Sequence, residues 1–391
     1  MSGINFNKGN GGLGRSLPGE THISGLVVYG ETAVGKTALL AAEELADKGI
    51  TNTSHPVTFY QVHEYFRINP GSKLFIETVA TSDGTYTEIE TLQNFAKGKL
   101  RQLAICDFKS TIASLTNRVT TLNAIAEKLF NSKKPLSILL SLKIISTDIA
   151  NLPDLRVLNS PYVSLVLGQD GGGLGDFLHD TNPSLSNIGS VLGAVSKANI
   201  HESIAWVEKQ NMVSVAYPKA LTGDVEKSRE LEELALCDGS LLSEYSDPAI
   251  KDLKDKGYLF FIPQVGIDGS YLIDSSTCTA LDDDFAYIEN NRALSEIVRE
   301  LQKTLIPRIS GPIYVNPDTG ELRETDASVL EGFCDNVISE FSNNGQISGG
   351  SVHIPAGQQP NKKSSLNIFL KFVPVGTLRE INVELGLTLK L

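Results

Sequence analysis

From residue 381 onward the chain alternates without a break. Ile381, Val383, Leu385, Leu387, Leu389 and Leu391 are separated by Asn382, Glu384, Gly386, Thr388 and Lys390. A period of two puts one apolar and one polar face on a β-strand. The run reaches the last residue, so no hairpin is expected after it. An apolar edge strand left unpaired is an aggregation hazard. The other end has a matching feature: Ile4 and Phe6 alternate with Gly3, Asn5 and Asn7 ahead of GNGGLG at 9–14. Two such ends suit a subunit that donates strands to its neighbours. Pairing of both ends within the subunit's own sheet satisfies the pattern equally.

Length allows two or three domains and a large core, since the chain has 391 residues. No apolar run has the length of a membrane span, and MSGINFNKGN lacks the basic start and apolar stretch of a signal peptide. The expected site of folding is therefore the cytoplasm. The 34 basic and 46 acidic side chains give −12, which argues against wholesale nucleic-acid binding. Cys106, Cys237, Cys278 and Cys334 show no CxxC spacing and read as isolated thiols.

Strands are expected at 25–29, 73–79, 103–106, 136–144, 162–167, 258–262 and 270–273. Helices are expected at 37–48, 60–66, 111–131, 184–197 and 226–236. Their alternation argues for an α/β body. Near residue 285 the character changes. A helix at 291–306 lines up Leu294, Ile297, Val298, Leu301 and Leu305, and Pro307 marks its end. A second helix at 326–343 lines up Val329, Leu330, Phe333, Val337, Ile338 and Phe341, with Gly345 suited to its C-terminal cap. A flexible loop is expected at 349–363. Then Leu366, Ile368, Leu370 and Phe372 form a strand pair with the terminal run, broken by Pro374 and Gly376. Two helices on a small sheet make an α+β unit. The expected divisions are an N-terminal arm at 1–22, an α/β body at 23–285, the α+β unit at 286–377 and a C-terminal strand arm at 378–391.

Gly30-Glu-Thr-Ala-Val-Gly35-Lys36-Thr37 fits the Walker A pattern between an expected strand and helix. As a phosphate loop its amides would cradle phosphates, Lys36 would reach the β- and γ-phosphates, and Thr37 would hold Mg²⁺. Asp107 is the candidate metal acid. As a plain turn the same residues leave Lys36 in solvent. Gly171 to Gly175 lacks the GxGxxG spacing and reads as a surface loop. The six histidines show no HxH or HxxxH pair, and Asp282 to Asp284 lacks the spacing of a calcium loop. No catalytic residue, cofactor or metal site is assigned.

Several segments resemble the contractile tail sheath proteins of phages and related injection systems. They are GGLGRSLPGETHISGLVVYG at the start, HPVTFYQVHEYFRINPGSKLFI at 55–76, LGQDGGG at 167–173 with VSKANIHESIAWVEKQN at 195–211, and the C-terminal helices with INVELGLTLKL. The full Walker pattern departs from that family and lowers the phosphate-loop reading. The resemblance implies a subunit that polymerises helically around a tail tube through exchanged arms. The exchanging positions would be Ile4, Phe6, Ile381, Val383, Leu385, Leu387 and Leu389. Expected partners are further copies of the chain, the tail tube protein, and baseplate and tail terminator proteins. The expected location is a virion tail or injection-system particle assembled in the bacterial cytoplasm. Neither nucleic-acid binding nor membrane insertion is expected. The polar faces of the 291–306 and 326–343 helices offer Glu296, Arg299, Glu300, Lys303, Asp335 and Glu340 as tube contacts. The alternative is a P-loop nucleotide-binding enzyme using Gly30, Gly35, Lys36 and Thr37.

Overall fold

The computed structural model describes residues 19–214, 228–360 and 365–387. Ile4, Phe6 and Leu389 lie outside them. The apolar runs form a six-stranded sheet of β1 (Ser24–Tyr29), β2 (Val34–Leu39), β3 (Leu74–Val79), β4 (Gln102–Thr111), β5 (Ser137–Lys143) and β6 (Val163–Leu165). Its order is β2-β3-β1-β4-β5-β6. All neighbours are parallel except β2, which runs antiparallel to β3 at the edge. The parallel strands read 2-1-3-4-5 in chain order, a doubly wound arrangement. Right-handed crossovers put α1 (Pro56–Ile68) on one face, and α2 (Glu88–Phe95) and α3 (Leu115–Asn131) on the other.

The sheet strands are apolar almost throughout because both faces are covered. Leu26, Val27, Val28, Leu103, Ala104, Ile105 and Leu140 are all fully buried. Between β5 and β6 lies the short α4 (Ser146–Ile149). After β6 come β7 (Gly168–Asp170), α5 (Leu174–His179) and α6 (Ile188–Lys197), which packs beside α1. That contact is backbone to backbone. A Cβ on Gly189 would stand 2.1 Å from the Gln61 carbonyl oxygen, and one on Gly193 would stand 2.8 Å from Ile68 Cβ. Small residues one turn apart are what permit such an approach.

The chain continues through β8 (Leu234–Leu236), which pairs antiparallel with β7, then α7 (Asp247–Asp255) and the hairpin β9 (Phe261–Gln264)–β10 (Ile267–Leu272). α8 (Ile288–Leu305) and α9 (Glu324–Asn343) follow, then β11 (Ile347–His353) and β12 (Phe369–Pro374), paired antiparallel. Ile297, Val337, Ile338, Phe341, Ile347 and Ile200 form a second, smaller core, joined by Leu301, Val352, Leu370 and Phe372. Gly345, at φ 68°, turns the chain out of α9 as its missing Cβ allows.

Several expectations need correction. Residues 34–39 are an edge strand followed by a 3-10 turn, where a helix was expected at 37–48. Pairing with β3 overrides the helix propensity of the alanines and leucines. The described part of 226–236 is turn and strand, because Leu234 and Leu236 are buried by pairing with β7. Residues 349–353, expected in a loop, belong to β11, the partner of β12, since Ile347 and Val352 pack into the smaller core. Residues 381–387 therefore have no strand partner among the described residues. Val329 is 58% exposed and does not face inward.

Candidate functional site

In a sheet of this order, ligands bind where the strand order reverses, beyond the carboxyl ends of the strands. Here that point lies beyond β1 and β4, and the chain fills it with its own side chains. Glu31 follows β1 and reaches the N-terminus of α1. Its carboxylate accepts the Val57 N–H at 2.7 Å, the Thr58 N–H at 3.0 Å and the Thr58 hydroxyl at 2.6 Å. A phosphate would use those same unpaired amides. Lys109 lies over Gly30, with its Cγ 2.6 Å from where a Cβ would be.

Gly30, Gly35, Lys36 and Thr37 therefore build no phosphate cradle. Thr37 is paired into β2, and Lys36 forms an ion pair with Glu77 of β3 at 2.9 Å. Asp107 is buried and accepts hydroxyls from Ser82 at 2.7 Å, Tyr86 at 2.9 Å and Ser110 at 2.8 Å. Those bonds tie strand ends together and occupy the oxygen a metal would need. Among the described residues no cluster of His, Cys, Asp or Glu is arranged to hold a metal ion.

The glycines at 171–175 are not a surface loop. Gly173 and Gly175 are buried and wrap a pair of acids. Asp170 accepts the N–H groups of Gly173 at 2.5 Å and Leu231 at 2.8 Å, while Glu230 accepts Leu174 N–H at 2.7 Å. A Cβ on Gly173 would sit 2.7 Å from a Glu230 oxygen and 3.0 Å from an Asp170 oxygen. Burial pushes the Asp170 carboxyl up to about 6. It also pushes Glu230 well above its usual value, reinforced by the charges of Asp170 and Glu64. Glu64 is held by Arg67, at 2.7 and 2.6 Å, and by Asn187 at 2.7 Å. The cluster fastens the 228–236 segment to the body.

An alternating run of exposed apolar residues lies toward the C-terminal end. Ile381, Val383, Leu385 and Leu387 are 70 to 108% exposed. On β12, Phe369 and Val373 face outward while Leu370 and Phe372 face the smaller core. Of the expected tube contacts, Lys303, Asp335 and Glu340 are exposed, and Glu300 pairs with Lys303 at the surface. Glu296 and Arg299 are not surface groups, each being only 7% exposed. Glu296 forms an ion pair with Arg101, and Arg299 donates to the carbonyls of Gly98 and Leu100 at 2.8 Å each. Both lie off the apolar stripe of Leu294, Ile297, Val298, Leu301 and Leu305, which is why the sequence alone puts them on a free face.

This architecture is that of contractile sheath proteins. A chain of the anti-feeding prophage (AFP) baseplate superposes with a TM-score of 0.64 at 13% identity, covering 100% of this chain and 99% of that one. The contracted sheath complex of the extracellular contractile injection system PVC gives 0.62 at 11% identity, covering 100% and 98%. The sheath tail protein of Desulfitobacterium hafniense gives 0.51 at 12%, covering 96% and 100%. At these identities the likeness is one of fold. By sequence the chain belongs to the DUF2586 family: the model of its N-terminal domain matches residues 1–276 and that of its C-terminal domain matches residues 284–391. No curated protein matches it.

Proposed function

We propose that the chain is the structural subunit of a contractile tail sheath. It polymerises helically around a tail tube and contracts to drive the tube through a target envelope. The observation that carries this reading is the run after residue 380. Its apolar side chains at Ile381, Val383, Leu385 and Leu387 lie in solvent, on a chain that shares the fold of sheath proteins. A partner strand from a second subunit covers such a run and satisfies its backbone at once. The working division is an N-terminal arm at 1–22, an outer body at 23–285, an inner unit at 286–377 and a C-terminal arm at 378–391. Ile4, Phe6, Ile381, Val383, Leu385, Leu387 and Leu389 are the exchanging positions.

Backbone ladders joined through glycine-bearing segments stay paired while rigid bodies swing. Contraction then draws on energy stored in a metastable extended polymer, and needs no nucleotide at firing. The partners are further copies of the chain, a tail tube protein, and baseplate and terminator proteins. The particle is a virion tail or injection device, assembled in the bacterial cytoplasm. Glu300, Lys303, Asp335 and Glu340 are the proposed tube-facing groups. Deleting 1–14 or 380–391 tests the reading. Each truncation should leave a folded body that forms no tubes, and tubes of ordinary length from either would overturn strand exchange.

A further inference from the structure

α8 turns a row of charge toward the rest of the chain. Glu289, Arg292, Glu296 and Arg299 recur at spacings that share one helix face. All four are 2 to 7% exposed. A covered helix face is ordinarily apolar, so each of these charges requires a partner. The two arginines take backbone oxygens. Arg292 donates to the carbonyls of Ala198 at 3.1 Å and Asn199 at 3.0 Å, just past α6, and Arg299 to those of Gly98 and Leu100. Burial pushes both guanidinium groups down to about 10, so they stay charged at neutral pH. These two fasten the helix to the body.

The two glutamates hold something else. Glu289 takes Arg379 at 2.6 Å. The same guanidinium reaches Asp274 and Ser275, each at 3.1 Å, and lies 3.4 Å from the centre of the Tyr287 ring. Arg379 marks the point at which the chain leaves the body. Before it, residues 375–378 border a groove of about 690 Å³ beside Trp206, Ile262 and Leu272. After it, Ile381, Val383, Leu385 and Leu387 are exposed. Glu296 takes Arg101, whose other nitrogen reaches Glu20 at 3.0 Å. Lys99 also pairs with Glu20, at 2.7 Å. Glu20 stands where the N-terminal segment joins β1. The glutamates are two helical turns apart, about 10 Å along one axis.

We propose that Glu289 and Glu296 make α8 a common mount for both terminal arms, with Arg379 and Glu20 as the positioning residues that set where each arm starts. This rests on the sheath reading. It adds that only the chain beyond Arg379 swings on the C-terminal side. Residues 380–391 span at most about 43 Å when extended. A released root would lengthen the loose chain and lower the effective concentration of the strand at its neighbour.

The test uses the full chain polymerised alone and viewed by electron microscopy, with thermal unfolding of each variant beside it. Glu289→Gln combined with Arg379→Gln removes both charges of that pair together, and Asp274 keeps the Ser275 N–H at 2.8 Å. The double variant is expected to form about tenfold fewer tubes, with its unfolding midpoint within about 3 °C of the unaltered chain. Arg379→Lys keeps the charge but loses the fork and the ring contact, and should form an intermediate number. A double variant with tubes of unaltered number and length overturns the mount and leaves the sheath reading standing. One that melts more than about 10 °C lower shows a purely structural role and also overturns it. Failure of the unaltered chain to form tubes overturns the sheath reading, and this inference with it.

Discussion

Glu31 stands in for a ligand at the N-terminus of α1, accepting the Thr58 hydroxyl at 2.6 Å and the Thr58 N–H at 3.0 Å. His55, the residue before this helix, makes no side-chain cap, so the glutamate performs the capping from across the sheet.

Removing that cap should matter more than removing the lysine of the Walker-like stretch. Glu31→Ala should cost about 1–2 kcal/mol by analogy with lost helix caps. Lys36→Ala breaks only a partly exposed pair with Glu77 and should cost no more than about 1 kcal/mol. Calorimetry with Mg–ATP should show no binding to the unaltered chain. Micromolar binding abolished by Lys36→Ala would restore the phosphate-loop reading.

The crossing of α1 and α6 should tolerate no side chain at Gly189. Its Cβ would meet backbone oxygen at 2.1 Å, against 2.8 Å to a side-chain carbon at Gly193. Gly189→Ala should destabilise by about 3 kcal/mol or more, and Gly193→Ala by less. Gly332, inside α9, has open space where a Cβ would go. Gly332→Ala should therefore stabilise by up to about 1 kcal/mol through helix propensity. Urea denaturation of the three variants ranks them, and an inverted order would contradict the close helix contact.

Glu230 should make stability fall as pH rises. Burial raises its pKa above 4.5 and that of Asp170 from 3.8 to about 6. The folded chain thus holds protons that the unfolded chain has released. The contribution is complete below about pH 4 and is lost as pH climbs through the folded values. Glu64, Arg67, Tyr60 and Asp170 are the ionisable groups facing Glu230. Glu230→Gln keeps an acceptor for Leu174 N–H and removes the titration. Between pH 5 and 9 its unfolding midpoint should fall less than that of the unaltered chain. Equal slopes for the two proteins would show that the acid pair is not protonated in the fold.

Charge reversal should separate the buried face of α8 from the exposed faces of α8 and α9. Glu296→Lys places a cation against Arg101 and Arg299 in a buried setting, at a cost of about 3–5 kcal/mol. Glu300→Lys and Asp335→Lys alter exposed positions and should stay within about 0.5 kcal/mol. If those surface groups face a tail tube, their reversal reduces co-assembly with the tube without lowering the unfolding midpoint. Unchanged co-assembly would remove them from the proposed contact.

The buried strands were legible because β1 and β5 are continuous apolar runs, and α3 because Leu115, Val119, Leu122 and Leu129 recur at helical spacing. Residues 37–39 misled because TALLAAEEL favours a helix locally, while β3 supplies a backbone partner that only the folded chain presents. The strand at 347–353 hid behind Gly349 and Gly350. Gly350 is needed there because a Cβ would press on Lys371 O at 2.7 Å and Ile338 at 2.8 Å. The charged face of α8 was unreadable for a different reason. Its partners Ala198, Gly98 and Arg379 are remote in sequence, and nothing in the spacing of Glu289, Arg292, Glu296 and Arg299 separates burial from exposure.

Dissolved ions weaken charge pairs only where they can come between them. The Glu300–Lys303 pair lies open to them, and the row from Glu289 to Arg299 does not. The join between α8 and the large sheet should therefore behave alike in brine and in fresh water, although it is built from the interaction most often thought of as sensitive to salt.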